Sequence, residues 1–288
     1  MKKLLAILWI TALCISIAGC TRQDECVDIT ATTLPVYEFT VLLCQDTGLR
    51  IGQLVTDNIS CLHEYTLKIS QMRMIESANA VVISGGGLED FLDDALSAKA
   101  NLIDASEGIT LSCHTSHDEI HHHEEDPHYW LNIPYAKQMA ENICKGLQAL
   151  YPKYSQKISN NLAELVMRLD ALQLYAEKAL SELSGRDLIT FHDGFSYFAE
   201  NHDLHILKAI EEEAGSEASA AQLCELIELV NTHAIPAIFT EKNGSSSAAQ
   251  IISNETGVKI FTLDMAISGS SYFDAMYHNI DTIKEALK

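Results

Sequence analysis

The chain is short of basic residues: 19 Lys and Arg stand against 40 Asp and Glu, for a net charge of −21. Such a surface repels nucleic acid and anionic membranes and draws cations from a distance, although solubility alone would also favour it. Beyond the first twenty residues no segment is long and apolar enough to span a bilayer, which takes about 20 residues. There is no CxxC pair, which argues against a four-thiolate metal knuckle. No H-E-x-x-H occurs, because His63-Glu64 leads to Leu67 and His123-Glu124 to Pro127. No G-x-S-x-G elbow is present. Gly85-Gly86-Gly87 lacks both the G-x-G-x-x-G spacing and a Walker lysine, so it reads as a turn. These gaps argue against a metallohydrolase, a serine hydrolase or a nucleotide-binding enzyme, and the expectation is a protein that is not an enzyme. No short internal repeat is visible.

The N-terminus is a targeting segment. Lys2 and Lys3 precede an apolar run from Leu4 to Ile17, interrupted by Thr11 and Ser16 and too short for a membrane span. It ends in Ile17-Ala18-Gly19-Cys20, which resembles the lipobox of bacterial lipoproteins. The expectation is a signal peptide over 1–19, lipidation at Cys20, a tether over 20–26 and an extracytoplasmic, membrane-anchored protein. The alternative is an ordinary signal peptide with an accidental cysteine. Cys26, Cys44, Cys61, Cys113, Cys144 and Cys224 then remain, and six cysteines leave 15 pairings open.

Residues 20–288 are too many for one average domain and suit two. Short apolar runs alternate with amphipathic ones. Strands are expected over Val27–Leu34 (closed by Pro35), Leu49–Val55, Ala80–Ser84 and Asn101–Ala105, with helices over Pro35–Thr47, Leu67–Ala78, Leu88–Ala98 and Tyr135–Tyr151. Strands alternating with helices imply parallel βα units under helical cover. Ile158, Leu162, Leu165, Leu169, Leu172, Ala176, Ala179 and Leu183 then recur at steps of three and four, one continuous apolar stripe. A helix over Pro152–Leu183 would run about 45 Å. It could be a coiled-coil face, but βα units resume directly after it, which favours a rod lying across two lobes. Strands follow over Asp187–Phe191, Leu204–Ile210, Ala234–Thr240 and Val258–Leu263. Helices follow over Phe195–Asn201, Ala220–Thr232, Ser245–Thr256 and Tyr272–Leu287. The expected fold is α/β, two lobes with parallel sheets bridged by one long rigid helix. The lobes span 27–152 and 185–288, with the linking helix over 153–184.

The 12 histidines carry the chemistry. Residues 113–126 hold His114, His117, His121, His122, His123 and five acids around a single aliphatic, Ile120, a solvated loop. His63, His128 and His192 each follow a segment read as a strand end or loop, and Asp264 follows the strand Val258–Leu263. Ligands of parallel sheets bind outside the carboxyl ends of the strands. Any one of these residues alone would more often be an ordinary polar residue. Four at equivalent positions in two lobes form a candidate metal site. In Asp126-Pro127-His128-Tyr129-Trp130, the proline fixes the backbone and the aromatics can wall the imidazole from water.

Several stretches resemble the zinc and manganese substrate-binding proteins of ABC importers, the ZnuA-like cluster A-I. They are His63-Glu64-Tyr65, the run Ala78–Leu92 and the segment Asp126-Pro-His-Tyr-Trp-Leu-Asn132. Further matches are Phe191-His-Asp-Gly-Phe-Ser-Tyr-Phe198, Gly215–Leu223, Leu263-Asp-Met265 and Ser271–Asn279. The similarity covers nearly all of the chain after Cys20, in the family's order. It implies two α/β lobes joined by a long helix, a membrane permease as partner, a monomer, and a divalent ion held by His63, His128, His192 and Asp264. One departure concerns Asn58–Leu67, which lacks the prolines usual around the first histidine, so Cys61 or Glu64 could approach the ion. Three imidazoles and one carboxylate suit Zn²⁺. Manganese-type relatives commonly carry a carboxylate where His192 stands; manganese or iron is the alternative cargo. The His-rich loop would collect zinc weakly and pass it to the cleft, or be a dispensable acidic linker. A zinc hydrolase and a surface adhesin are the readings from other classes.

Overall fold

The structure, a computed structural model, describes residues 27–57, 59, 62, 65–97, 99–112, 125–211 and 218–288. Two four-stranded sheets, all parallel, organise it. The first comprises β1 (Ile29–Ala31), β2 (Ile51–Gln53), β3 (Ala80–Ile83) and β4 (Leu102–Asp104), in the order β2-β1-β3-β4. The second comprises β5 (Asp187–His192), β6 (His205–Glu211), β7 (Ala237–Glu241) and β8 (Lys259–Leu263), in the order β6-β5-β7-β8. Both halves thus use one topology, and in each the strand order reverses beside the first strand. Crevices outside the carboxyl ends of strands at such reversals are where open α/β sheets bind ligands.

The helices are α1 (Leu34–Leu43), α2 (Ile69–Ser77), α3 (Asp93–Leu96), α4 (Ile133–Leu150), α5 (Ser155–Leu180), α6 (Ser196–Asn201), α7 (Ala220–His233), α8 (Ser247–Thr256) and α9 (Tyr272–Ala286). Several ends differ from the sequence expectation for identifiable reasons. Pro35 opens α1 rather than closing a strand, because a proline in the first turn of a helix sacrifices no hydrogen bond. The helix expected over Leu88–Ala98 is a 3₁₀ turn, Asp90–Leu92, followed by the single-turn α3. Its start is delayed because the three glycines of 85–87 all take positive φ and Glu89 folds back onto the turn they form. The bridging helix is α5, about 39 Å long. Pro152–Tyr154 ahead of it is a 3₁₀ turn, and residues 181–183 leave the helix. β5 extends one residue further than expected, so that His192 is its last residue.

The apolar stripe along α5 is real: Ile158, Leu165, Leu169, Leu172, Ala176 and Leu180 are all buried. They join one cluster that also takes in Phe39 of α1, Ile143 of α4, Tyr197 of α6, Phe239 of β7 and Ile280 of α9. This core runs through both halves without a break. A second cluster lies between β5, β7, α7 and α8, and a third under α2 and α3. Asn161 of α5 donates to the carbonyls of Leu43 and Gln45 at the end of α1, and Gln173 accepts from Asn201 of α6. The rod is therefore pinned to both lobes. No described helix is long and apolar enough to cross a membrane. Cys44 and Cys144 are buried free thiols and Cys224 is an exposed one; burial pushes the Cys44 thiol up to about 12. Cys20, Cys26, Cys61 and Cys113 lie outside the described residues.

Candidate metal centre

His128 is positioned by a local turn. Asp126 Oδ1 accepts from the His128 backbone N–H at 2.9 Å, closing an Asx turn over Pro127. The same oxygen meets Nδ1 of the imidazole at 2.8 Å. Both side chains are essentially inaccessible. A carboxylate against Nδ1 holds the hydrogen there, which leaves Nε2 with a bare lone pair. The chain then enters the 3₁₀ turn Tyr129–Leu131, whose three side chains are fully buried. Trp130 packs edge-on against the imidazole at a centroid distance of 5.4 Å, so the expected aromatic wall is present.

His192 ends β5, the strand beside which the second sheet reverses order. Its Nε2 lies 3.4 Å from Nε2 of His128, and the rings meet edge to face. The two histidines are 64 residues apart in sequence and come from opposite lobes. Gly194 makes the approach possible. A Cβ there would sit 2.4 Å from Met265 Cε, 2.8 Å from His192 Cδ2 and 3.2 Å from His128 Cγ, so any side chain would push into the imidazoles.

Asp264 follows β8 directly. Its peptide is gripped by Asn279 of α9, whose amide accepts from the Asp264 N–H at 2.8 Å and donates to its carbonyl at 2.7 Å. Its Oδ1 accepts from the Ala266 N–H at 2.9 Å, and its Oδ2 pairs with Lys242 Nζ at 2.8 Å. Among the described residues, no group of three His, Cys, Asp or Glu side chains lies close enough together to hold a metal. The structure thus brings His128 and His192 together, and joins Asp264 to Lys242 rather than to that pair. His63, Cys61, Glu64, and the loop histidines His114, His117, His121, His122 and His123 lie outside the described residues.

Three participants escaped the reading of the sequence. Asp126 was visible only as part of a motif, although an Asp two residues before a His across a proline is an Asx-turn signal. Gly194 and Lys242 had no signal of their own, because each matters through a partner distant in sequence.

The surroundings of the pair tie the lobes together. Trp130 Nε1 donates to the Met265 carbonyl, and Tyr272 Oη donates to the Trp130 carbonyl, both at 2.8 Å. Tyr197 Oη donates to the Asp126 carbonyl at 2.9 Å and accepts from the Ser112 N–H at 2.8 Å. Leu34 N–H donates to the Ile267 carbonyl at 3.0 Å. Behind β3, Glu89 accepts from Thr32 Oγ1 and the N–H groups of Ser84 and Gly85. Burial outweighs those three donors and pushes its carboxyl up to about 7.

Comparison with known proteins agrees with this architecture. The chain is 30% identical to the zinc-binding lipoprotein AdcA of Streptococcus pneumoniae, over 99% of this chain and 61% of that protein. It therefore spans about three fifths of that relative. Among solved structures, that of ZnuA superposes with a TM-score of 0.79 at 28% identity, covering 91% of this chain and 100% of that one. The Zn(II)-bound ZnuA-like domain of Streptococcus pneumoniae AdcA gives 0.77 at 28% identity, over 91% and 98%. The family described as zinc-uptake complex component A, periplasmic, matches residues 29–286. Its members are solute-binding components rather than enzymes. With a match over nearly the whole described chain, the protein belongs to the ZnuA family.

Proposed function

We propose that this protein captures Zn²⁺ outside the cytoplasm, in the cleft between its two α/β lobes, and hands it to a membrane permease. One observation carries the reading: two imidazole Nε2 atoms from opposite lobes stand 3.4 Å apart, with Asp126 behind one of them. Two Zn–N bonds of about 2.0–2.1 Å at a tetrahedral angle place their nitrogens about 3.3–3.4 Å apart. The pair is therefore already spaced as two ligands of one such ion. Relatives named for zinc binding, and a Zn(II)-bound neighbour of the same fold, support that choice of cargo.

The remaining ligands in this reading are His63, which like His128 belongs to the lobe 27–152, and Asp264, which like His192 belongs to the lobe 185–288. Residues 153–184 join the two. Three nitrogens and one oxygen give the four-coordinate set that zinc favours over manganese. Cys20 would anchor the protein by lipid, keeping it beside its permease, and the histidines of 113–126 would raise the local zinc concentration. Elemental analysis of protein purified without chelator tests the cargo, with the His128→Ala variant beside it. Expected is about one zinc per wild-type chain and a large loss in the variant. Manganese or iron in place of zinc, or equal zinc in both proteins, would reject the assignment.

A further inference from the structure

We propose that Lys242 is the resident counter-ion of Asp264 and competes with the cargo for it, setting how tightly the cleft holds its metal. This rests on the reading of Asp264 as a ligand. The carboxylate has two oxygens with different duties. Oδ1 accepts from the Ala266 N–H at 2.9 Å and is committed to the turn after β8. Oδ2 is the oxygen left for a cation, and Lys242 Nζ sits on it at 2.8 Å. Asn279 clamps the peptide of Asp264 on both sides, and the Ala266 N–H holds the carboxylate by Oδ1, so Oδ2 stays turned to Lys242.

The two partners differ in freedom. The Asp264 side chain is 13% exposed and that of Lys242 56%. Lys242 lies just past β7, and its N–H donates to the Leu263 carbonyl at 2.8 Å, so its backbone is fixed while its head group reaches water. An ammonium on a flexible four-carbon stem can leave for solvent at small cost. A Zn²⁺ bound to Oδ2 at about 2.0–2.2 Å would find that ammonium only a few ångströms away. At such spacing like-charge repulsion is several times thermal energy even at an effective dielectric constant of about 20. Metal entry therefore exchanges one cation for another: the Lys242–Asp264 pair opens, the metal takes Oδ2, and the ammonium is hydrated. On release the ammonium returns, so a largely buried carboxylate is never left bare. The cleft holds its ion less tightly than its ligands alone would, which suits a carrier that must give the ion up.

The test uses the full chain, stripped of metal, with Zn²⁺ as the probe and competition against a chromophoric chelator as the assay. Lys242→Gln should tighten zinc binding by about three- to thirty-fold. It should lower the melting midpoint of the metal-free protein while leaving that of the zinc-loaded protein in place. Lys242→Arg, which keeps the charge, should stay within about twofold of wild type. In the Lys242→Gln/Asp264→Ala double variant the gain should vanish, because the lysine acts only through that carboxylate. Unchanged or weaker binding by Lys242→Gln, or both midpoints falling together, would overturn the proposal. If Asp264→Ala alone binds zinc like wild type, the ligand assignment beneath it fails; if that variant loses affinity while Lys242→Gln gains none, only the competition fails.

Discussion

At the scale of single residues, the preparation of one imidazole matters most. Asp126 bonds both the backbone N–H and Nδ1 of His128, so one carboxylate sets the turn, the ring plane and the tautomer. Partners of this kind typically contribute ten- to a hundredfold to metal affinity. Asp126→Asn should weaken zinc binding by about tenfold, since the neutral amide still accepts from the backbone N–H but supports the imidazole less. Chelator competition measures this, and the metal-free melting midpoint should move little; wild-type affinity would show that the carboxylate is only structural. Glu89 gives a second prediction. Its carboxyl is raised from 4.5 to about 7 by burial, so the folded state holds a proton that the unfolded chain has released across that window. The stabilisation is fully present below about pH 4.5 and is lost as the pH rises through about 7, amounting to about 3 kcal/mol. Urea unfolding of metal-free protein between pH 4.5 and 8 should show wild type losing about that much more stability than Glu89→Gln. Parallel curves for the two proteins would refute it. The histidine pair was legible in the sequence because polar residues of ligand type recur at equivalent positions in two lobes, where any one alone would pass as ordinary. The Asp264–Lys242 pair was not, because Lys242 looks like any surface lysine until β7 and β8 lie side by side.

At the scale of elements, type was easier to read than extent. All eight strands and the long helix lie where hydrophobic periodicity puts them, but the ends are set by chemistry that periodicity ignores. Pro35 could close a strand or open a helix, and only the neighbouring packing decides. The stretch after Gly87 has the composition of a helix, yet its first turn is spent returning the Glu89 carboxylate to the glycine turn. The common strand order of the two sheets left no trace as a sequence repeat, because order depends on which edges pair. For α5 the periodicity was sufficient, and its midpoint shows why the rod matters. Leu169 is fully buried in the cluster that joins both lobes. Leu169→Ala should cost about 2–5 kcal/mol in urea unfolding and keep a single cooperative transition. Two separate transitions would mean that the lobes fold independently.

At the scale of the whole molecule, the decisive feature is that the two lobes share one hydrophobic core. The main hydrophobic cluster passes from α1 and α4 through α5 into α6 and α9 as one body. Above it, Trp130 Nε1 donates to the Met265 carbonyl and the Trp130 carbonyl accepts from Tyr272 Oη, two bonds across the lobes. At the start of α9, Glu38 of α1 accepts from the Tyr272 N–H, and the guanidinium of Arg168 on α5 stacks over the Phe273 ring at 4.0 Å. Opening the lobes like a clam would break these contacts together and expose buried apolar surface, each Å² costing about 25 cal/mol. In the proposed function, capture and release are therefore carried by side chains and loops, with the lobes held near one orientation. Small-angle scattering checks this directly. For a compact molecule of this length the radius of gyration is about 19 Å, and zinc loading should change it by less than about 1 Å. A contraction of several ångströms would show that the lobes swing, and the burial of α5 would then have to be rebuilt in the open state.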